Sequence, residues 1–261
     1  MESEILRCAQ NDSHVKMQNR PQTTLMGKGI FITGTDTGVG KTFFACALAE
    51  YLKDSGYKVG VMKPAETGCD AGNGKFTPAD AVALKDAAGC DVPLEKICPY
   101  QFREPLAPSV AAEREGRQID VDRLLDIYHE ISSAHDITLV EGAGGLMVPL
   151  LPSYTYADFA RVLKLPLIVV APNRLGVINH LLLTLEHASC KGLQGQGYVL
   201  NQLDATPSLA AQTNREALFS LTGVPCLGEL SYETEPKAAV AAIGEHLNFS
   251  FLAALLPRRP A

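Results

Sequence analysis

The sequence predicts an α/β fold in which a mostly parallel sheet is covered by helices on both faces. From Gly29 onward, short apolar runs alternate with longer segments of helical pattern, which is typical of strands joined by crossover helices. Most of these runs have little polar–apolar alternation and many β-branched or Leu residues, as expected of strands buried on both faces. Because no repeat or linker divides the chain, we expect residues 27–261 to form a single domain.

The apolar runs and the helical patterns define the predicted elements in chain order. The predicted strands are residues 29–34, 58–63, 137–141, 167–171, 195–201 and 225–229. The predicted helices are residues 41–55, 80–88, 120–134, 156–162, 177–189, 207–221 and 236–255. Residues 64–79 are predicted to be a long, Gly-rich, polar loop directly after a strand, which is where open α/β sheets bind ligands.

The composition indicates a globular protein of the cytoplasm. Hydrophobic residues make up 46% of the chain, which suffices for a core. The count of 23 Lys and Arg against 29 Asp and Glu gives a net charge of -6. Because the chain also lacks a block of basic residues, we expect no nucleic-acid partner. Seven cysteines without a CxxC pair are predicted to be reduced thiols.

Neither a membrane span nor a targeting segment is predicted. No run approaches the ~20 apolar residues that a transmembrane helix requires, so we expect no membrane association. The first 26 residues are polar and lack the apolar stretch of a signal peptide. We interpret residues 1–26 as a disordered extension or a misassigned start, with Met26 as an alternative first residue.

The segment after the first predicted strand has the features of a phosphate-binding loop. Residues 34–42 read GTDTGVGKT and connect a strand to a helix, which is the context that such a loop requires. Backbone N–H groups and the helix dipole would bind phosphate, while Lys41 would reach the β- and γ-phosphates and Thr42 would bind Mg²⁺. The strict pattern GxxxxGK[ST] is not met, because Thr35 stands at the place of its first glycine. ATP or GTP binding is the prediction, and a turn that merely caps the helix is the alternative.

Other charged residues lie where the predicted fold would bring them near this loop. Glu141 ends a buried run before a Gly-rich stretch, which resembles a metal-binding Walker-B element. Lys63 ends the second strand, where it would either face a second anionic group or be solvated. Asp80 begins a helix, either as an ordinary first-turn acid or as a site residue.

Taken together, the motifs resemble the dethiobiotin synthetase family. They are GTDTGVGKT (34–42), KPAETG (63–68), ADAVAL (79–84), EGAGG (141–145) and NRLGVINH (173–180), in order and at consistent spacing. The resemblance implies an ATP- and Mg²⁺-dependent cyclo-ligase with a phosphate-loop NTPase-like fold. It implies that 7,8-diaminononanoate and CO₂ become dethiobiotin through a carbamate and a carbamic–phosphoric anhydride, in biotin biosynthesis. It also implies a homodimer with the substrate site at the interface.

The same resemblance implies a role for each matching residue. Lys63 and Lys41 would be catalytic, and Thr42, Asp80 and Glu141 would bind Mg²⁺. The nucleotide would contact Gly38, Val39, Gly40, Lys41, Thr42, Phe43, Asp80, Glu141, Gly142, Ala143, Gly144, Asn201, Leu230, Ser231 and Tyr232. The substrate would contact Thr37, Thr67, Leu175, Gly176 and Asn179, of which the last three would reach it across the interface.

The sequence departs from the family at a few of these positions. Gly38 stands where some members carry Glu, so any contact made by that carboxylate is absent. Thr67 replaces a frequent Ser and keeps the hydroxyl. Leu230-Ser-Tyr232 replaces Ile-Pro-aromatic, which predicts a less strict preference for the nucleotide base.

Other functions remain compatible with a phosphate loop of this kind. One is a nucleotide switch, such as a partitioning or membrane-positioning ATPase, which shares the fold but would act on a protein or a membrane. The lysine and hydroxyl of KPAETG have no evident task in such a switch. Another alternative is a ligase or amidotransferase-type synthetase of the same superfamily that acts on a larger acid.

Overall fold

The computed structural model describes residues 28–72, 75–193, 196–232 and Val240. The strands are β1 (Gly29–Gly34), β2 (Val59–Met62), β3 (Ala65–Thr67), β4 (Asp70–Gly72), β5 (Lys75–Thr77), β6 (Tyr100–Phe102), β7 (Ile137–Gly145), β8 (Pro149–Leu151), β9 (Tyr154–Thr155), β10 (Leu167–Pro172), β11 (Gly197–Asn201) and β12 (Cys226–Leu230). The helices are α1 (Lys41–Asp54), α2 (Ala79–Ala88), α3 (Leu94–Ile97), α4 (Pro108–Arg114), α5 (Val121–Ser133), α6 (Tyr156–Leu163), α7 (Val177–Cys190) and α8 (Leu209–Leu221). None of the helices in these ranges has the length and apolarity needed to cross a bilayer.

A six-stranded parallel sheet in the order β12-β11-β10-β1-β7-β2 is the centre of the fold. Its strands are buried on both faces because successive side chains point to opposite sides, each covered by an apolar cluster. In β1, Phe31 belongs to one cluster, while Ile30 and Ile32 belong to the other. The predicted α/β class with helices on both faces is therefore confirmed.

Most predicted elements are present with ends shifted by no more than two residues. The exception is β7, which was predicted to end at Glu141 and continues to Gly145, because Gly145 pairs with Gly34 of β1. Lys63 lies just after β2 rather than inside it. The predicted helix at 236–255 lies outside the described residues apart from Val240, and so does the predicted extension at 1–26.

The prediction of one long loop at residues 64–79 was wrong. This segment contains β3, β4 and β5, and β3 pairs in parallel with β6 in a small separate sheet. These strands have three residues each, which is too short for a periodic pattern to reveal. The small sheet holds the segment between β2 and α2 in place, and α2 begins beside the phosphate loop.

Candidate active site

The carboxyl ends of β1, β7 and β2 open into a cavity of about 700 Å³. Parallel neighbours in a sheet bring the residues that follow them to one edge, which is how distant segments of the chain meet here. The predicted residues that line this cavity are Thr37, Gly38, Gly40, Lys41, Thr42, Phe43, Lys63, Thr67, Asp80, Glu141, Ala143 and Gly144. The structure thus brings together the phosphate loop and the charged residues predicted to accompany it.

The phosphate loop connects β1 to α1 and depends on a glycine at its end. Gly40 caps α1 with a left-handed φ of 88°, and a Cβ at this position would lie 2.1 Å from the Asn201 side-chain nitrogen. Gly40 provides no side-chain cap, so the first N–H groups of α1 remain available to an anion. Both features suit a loop that binds phosphate through its backbone.

Lys41 is a buried ammonium beside this loop. Its side chain lines the cavity, the residue is 6% exposed, and Nζ donates to the Asp36 carbonyl at 2.9 Å. Burial, reinforced by the nearby Lys63 ammonium, lowers the pKa of Lys41 to about 8. A lysine that is poorly solvated and close to a second cation is suited to bind an anionic ligand.

Lys63 forms the centre of a buried ionic network. Its Nζ lies 2.7 Å from Asp80 Oδ2 and 2.5 Å from Glu141 Oε1, and the residue is 2% exposed. Burial alone would lower the pKa of Lys63, but the carboxylates of Glu141 and Asp80 outweigh it and raise the pKa above its ordinary value. Burial would likewise raise the pKa of Asp80, yet Lys63 keeps it below the ordinary value. Of the two alternatives for Lys63, a solvated side chain is therefore excluded.

The acids of this network and Thr42 form a set of oxygen donors. The Thr42 hydroxyl donates to Glu141 Oε1 at 2.8 Å, so α1 and β7 are joined at this point. The second carboxylate oxygen of Glu141, Oε2, is buried and has no hydrogen-bond partner among the described residues. Oxygen donors with an unused buried carboxylate oxygen are chemically suited to Mg²⁺, which prefers such ligands.

Glu66, which is not among the predicted site residues, also lines the cavity. Its carboxylate accepts hydrogen bonds from the backbone N–H groups of Asp80 at 2.9 Å and Ala81 at 3.0 Å. The residue is 7% exposed, and burial raises its pKa above the ordinary value. Its position in KPAETG was a possible signal, but its partners lie 14 and 15 residues away and no local pattern identifies them.

The residues predicted near the nucleotide base lie apart from this cavity. Asn201 is 3% exposed, and its side-chain amide donates to the Val39 carbonyl at 3.0 Å. It therefore contacts the phosphate loop without lining the cavity. Leu230, Ser231 and Tyr232 line a second cavity, of about 400 Å³. Val39 and Gly142 are themselves buried.

The residues predicted to bind the substrate across an interface lie on the surface of the single chain, outside the cavity. Leu175 is 87% exposed, and Asn179 is exposed on the first turn of α7. Gly176 begins that helix with a left-handed φ of 95°. The cavity of about 700 Å³ includes none of these three residues.

Comparison with known proteins gives the family. A family model described as "AAA domain" (AAA_26) matches residues 28–239. The ATP-dependent dethiobiotin synthetase BioD of Anaeromyxobacter dehalogenans (strain 2CP-C) is 41% identical over 84% of this chain and 97% of that relative. The protein of the same name from Bacillus licheniformis is 41% identical over 77% of this chain and 84% of that relative.

Among solved structures, the signal recognition particle receptor FtsY of Elizabethkingia anophelis matches with a TM-score of 0.46 and 17% identity. That match covers 83% of this chain and 65% of the receptor chain. A structural similarity this weak says nothing about activity. The family is shown by the sequence relatives and agrees with the motifs that line the cavity. The chain belongs to the family of ATP-dependent dethiobiotin synthetases.

Proposed function

We propose that this protein is an ATP- and Mg²⁺-dependent cyclo-ligase that forms dethiobiotin from 7,8-diaminononanoate and CO₂. The observation that supports this most directly is the buried Lys63 ammonium, held between two carboxylates at the edge of the phosphate-loop cavity. A nucleotide switch needs the phosphate loop but has no evident use for this second buried cation. A reaction that joins two anions does need it.

The proposed chemistry combines a carbamate with a triphosphate. One substrate amine adds to CO₂ and loses a proton, which gives the carbamate. A carbamate oxygen then attacks the γ-phosphorus, which forms the carbamic–phosphoric anhydride and releases ADP. The second amine attacks the carbamate carbon, loses a proton and expels phosphate as the five-membered urea ring closes.

Lys41 and Lys63 would supply positive charge to the two anionic reactants, the triphosphate and the carbamate. Lys41, beside the phosphate loop, would contact the β- and γ-phosphates, and Lys63 would offset the charge that accumulates between the carbamate and the γ-phosphate. Preorganised cations of this kind favour the transferring phosphoryl group, and alignment of the reactants adds effective molarity. Neutralising and aligning the two anions are thus the main tasks of the site.

Mg²⁺ would be held by Thr42, Asp80 and Glu141, and when bound it would neutralise phosphate charge. The support for this set is its chemistry, since all three side chains offer oxygen and Glu141 has an unused buried carboxylate oxygen. The Lys63 ammonium contacts the same two acids, so the network can exchange contacts when a divalent cation binds.

The remaining contacts complete the proposed complex. Thr37 and Thr67 would bind the diamine or carbamate end, since both side chains line the cavity. Residues 230–232, which line the second cavity, would lie near the base, as would Asn201, which pairs with Leu230 at the end of β11. Gly38, Phe43, Ala143 and Gly144 would lie closer to the phosphates.

A homodimer would complete the substrate site. The start of α7 from a second copy, with Leu175, Gly176 and Asn179, would bind the substrate carboxylate, because a helix N-terminus suits an anion. The exposure of Leu175 supports an interface there. A cytoplasmic location is supported by the free thiols of the described cysteines.

Product formation tests the proposal. Purified protein is incubated with MgATP, bicarbonate and 7,8-diaminononanoate, and dethiobiotin and phosphate are quantified together. We expect one phosphate for each dethiobiotin, and turnover that declines on dilution as dimers dissociate. Phosphate release no greater with the diamine than without it would reject the ligase and favour a nucleotide switch.

A further inference from the structure

Glu66 connects two parts of the candidate site that the chain itself does not connect directly. It lies in β3, three residues after Lys63, and its carboxylate accepts the backbone N–H groups of Asp80 and Ala81 at the start of α2. The Asp80 carboxylate in turn accepts a hydrogen bond from Lys63 Nζ at 2.7 Å. The contacts therefore form a closed circuit from Lys63 through Glu66 to Asp80 and back to Lys63.

We infer that Glu66 is a positioning residue for the reaction, which holds Asp80 at the distance from Lys63 and Glu141 that cation and phosphate binding require. This inference rests on the proposed function in what it says about turnover, but not in what it says about Asp80. Glu66 does not need to contact a reactant to act in this way. Its effect passes through the backbone of α2.

The geometry gives Asp80 few other restraints. The N-cap of α2 is Pro78, whose side chain has no oxygen and makes no cap hydrogen bond. Glu66 therefore replaces a local cap by a remote one, from the strand that follows Lys63. The Asp80 side chain is 42% exposed, compared with 3% for Lys63 and 1% for Glu141, so packing holds it less firmly than its partners.

A cap from a distant strand can fix the start of α2 relative to the rest of the site, which a cap within the same segment cannot do. A serine or threonine at the N-cap would also accept an N–H of α2, but it would move together with the helix. Glu66 belongs instead to β3, which is paired with β6, so it fixes the helix start relative to Lys63. Replacing a residue that orients a metal-binding carboxylate without itself binding the metal typically lowers metal affinity or activity about 10–100-fold.

Glu66→Gln is the first test, because Gln has nearly the same shape. Its carbonyl oxygen can accept one of the two N–H groups, whereas its amide nitrogen cannot accept the other. The matched control is Asp120→Ala, which removes the N-cap of α5 and its hydrogen bond from the Arg123 N–H at 3.1 Å, away from the cavity. Each variant loses one hydrogen bond to the first turn of a helix, so their melting temperatures should fall by similar amounts.

Binding of a fluorescent ATP analogue, titrated with Mg²⁺, distinguishes positioning from simple capping. We expect Glu66→Gln to need about tenfold more Mg²⁺ for half-maximal binding, with little change in the affinity measured in EDTA. With substrates, we expect kcat to fall about 10–100-fold and KM for the diamine to change less. Glu66→Asp, which keeps the charge, should recover part of the Mg²⁺ affinity.

Wild-type Mg²⁺ dependence and turnover in Glu66→Gln, with a melting temperature lowered as in Asp120→Ala, would overturn the inference. The binding titration needs no diamine, so it separates this inference from the proposed function. A wild-type protein that forms no dethiobiotin would reject the ligase, while a shifted Mg²⁺ dependence in Glu66→Gln would still support the role of Glu66. If Glu66→Gln does not fold, the same titration is made with Glu66→Asp, whose shorter side chain reaches the two N–H groups less well: a smaller increase in the Mg²⁺ requirement is expected, and a wild-type requirement would overturn the inference.

Discussion

Replacing Lys63 by alanine removes the cation that separates two carboxylates in the site. In the wild type, the ammonium contacts Glu141, which is 1% exposed, and Asp80, which is 42% exposed. Removing one partner of a buried ion pair costs ~3–5 kcal/mol, and the exposure of Asp80 places the expected loss near ~3 kcal/mol. For a chain of this size, that corresponds to a melting temperature lower by about 6–12 °C.

The variant should respond to Mg²⁺ more strongly than the wild type. Without the ammonium, Glu141 and Asp80 face each other uncompensated, so a divalent cation gains both carboxylates without displacing Lys63. We expect added Mg²⁺ to restore much of the lost stability, measured by thermal unfolding with and without the ion. Dethiobiotin formation should nevertheless fall by about 100–1,000-fold, because a preorganised cation is missing from the transition state.

Lys53→Ala is the matched control, since Lys53 donates to the Ala87 carbonyl at 3.0 Å and takes no part in the cavity at the phosphate loop. That variant should keep its turnover and show no special response to Mg²⁺. The reasoning is refuted if Lys63→Ala retains turnover within about fivefold of the wild type. It is also refuted if Mg²⁺ stabilises Lys63→Ala and the wild type equally.

Further predictions concern the phosphate loop and pH. Asn201→Ala should weaken ATP binding about fivefold in calorimetry, because the hydrogen bond to the Val39 carbonyl is lost, whereas Ser133→Ala, which removes an exposed hydrogen bond in α5, should not; equal affinities would contradict this. Gly40→Ala should abolish nucleotide binding, since it combines a left-handed φ with a Cβ 2.1 Å from Asn201, and normal binding would show that the loop differs from the one described. Because burial lowers the pKa of Lys41 to about 8, the free protein loses this charge as pH rises through about 8, so ATP affinity should fall between pH 7 and about 9. Lys41→Arg should remove that dependence, and an unchanged pH profile would exclude Lys41 as its source.

The sheet and the phosphate loop could be predicted because both have local signatures. Strands covered on both faces appear as continuous apolar runs, and β1 and β10 were predicted with ends that hardly changed. The phosphate loop depends on glycines and a lysine within nine consecutive residues, so its chemistry is visible in one short segment. Lys63 and Glu141 could be placed nearby because parallel strands end at one edge.

The contacts that refine the site could not be predicted, because they join residues that are distant in the chain. Asn201 supports the carbonyl of Val39, 162 residues away, and nothing near Asn201 in the sequence indicates this. Glu66 and Asp80 are 14 residues apart across short strands that were predicted to be a loop. The ion pairs of Lys63 likewise depend on how the sheet places β2 beside β7.

Transfer of oxygen from CO₂ to phosphate tests the central claim most directly. The reaction is started with ¹⁸O-labelled CO₂ and MgATP in unlabelled water, stopped before the label exchanges, and the phosphate is analysed by mass spectrometry. If a carbamate oxygen attacks the γ-phosphorus, each dethiobiotin is accompanied by phosphate that carries one ¹⁸O. Phosphate without label, formed together with dethiobiotin, would contradict the role of the two lysines in bringing carbamate and triphosphate together.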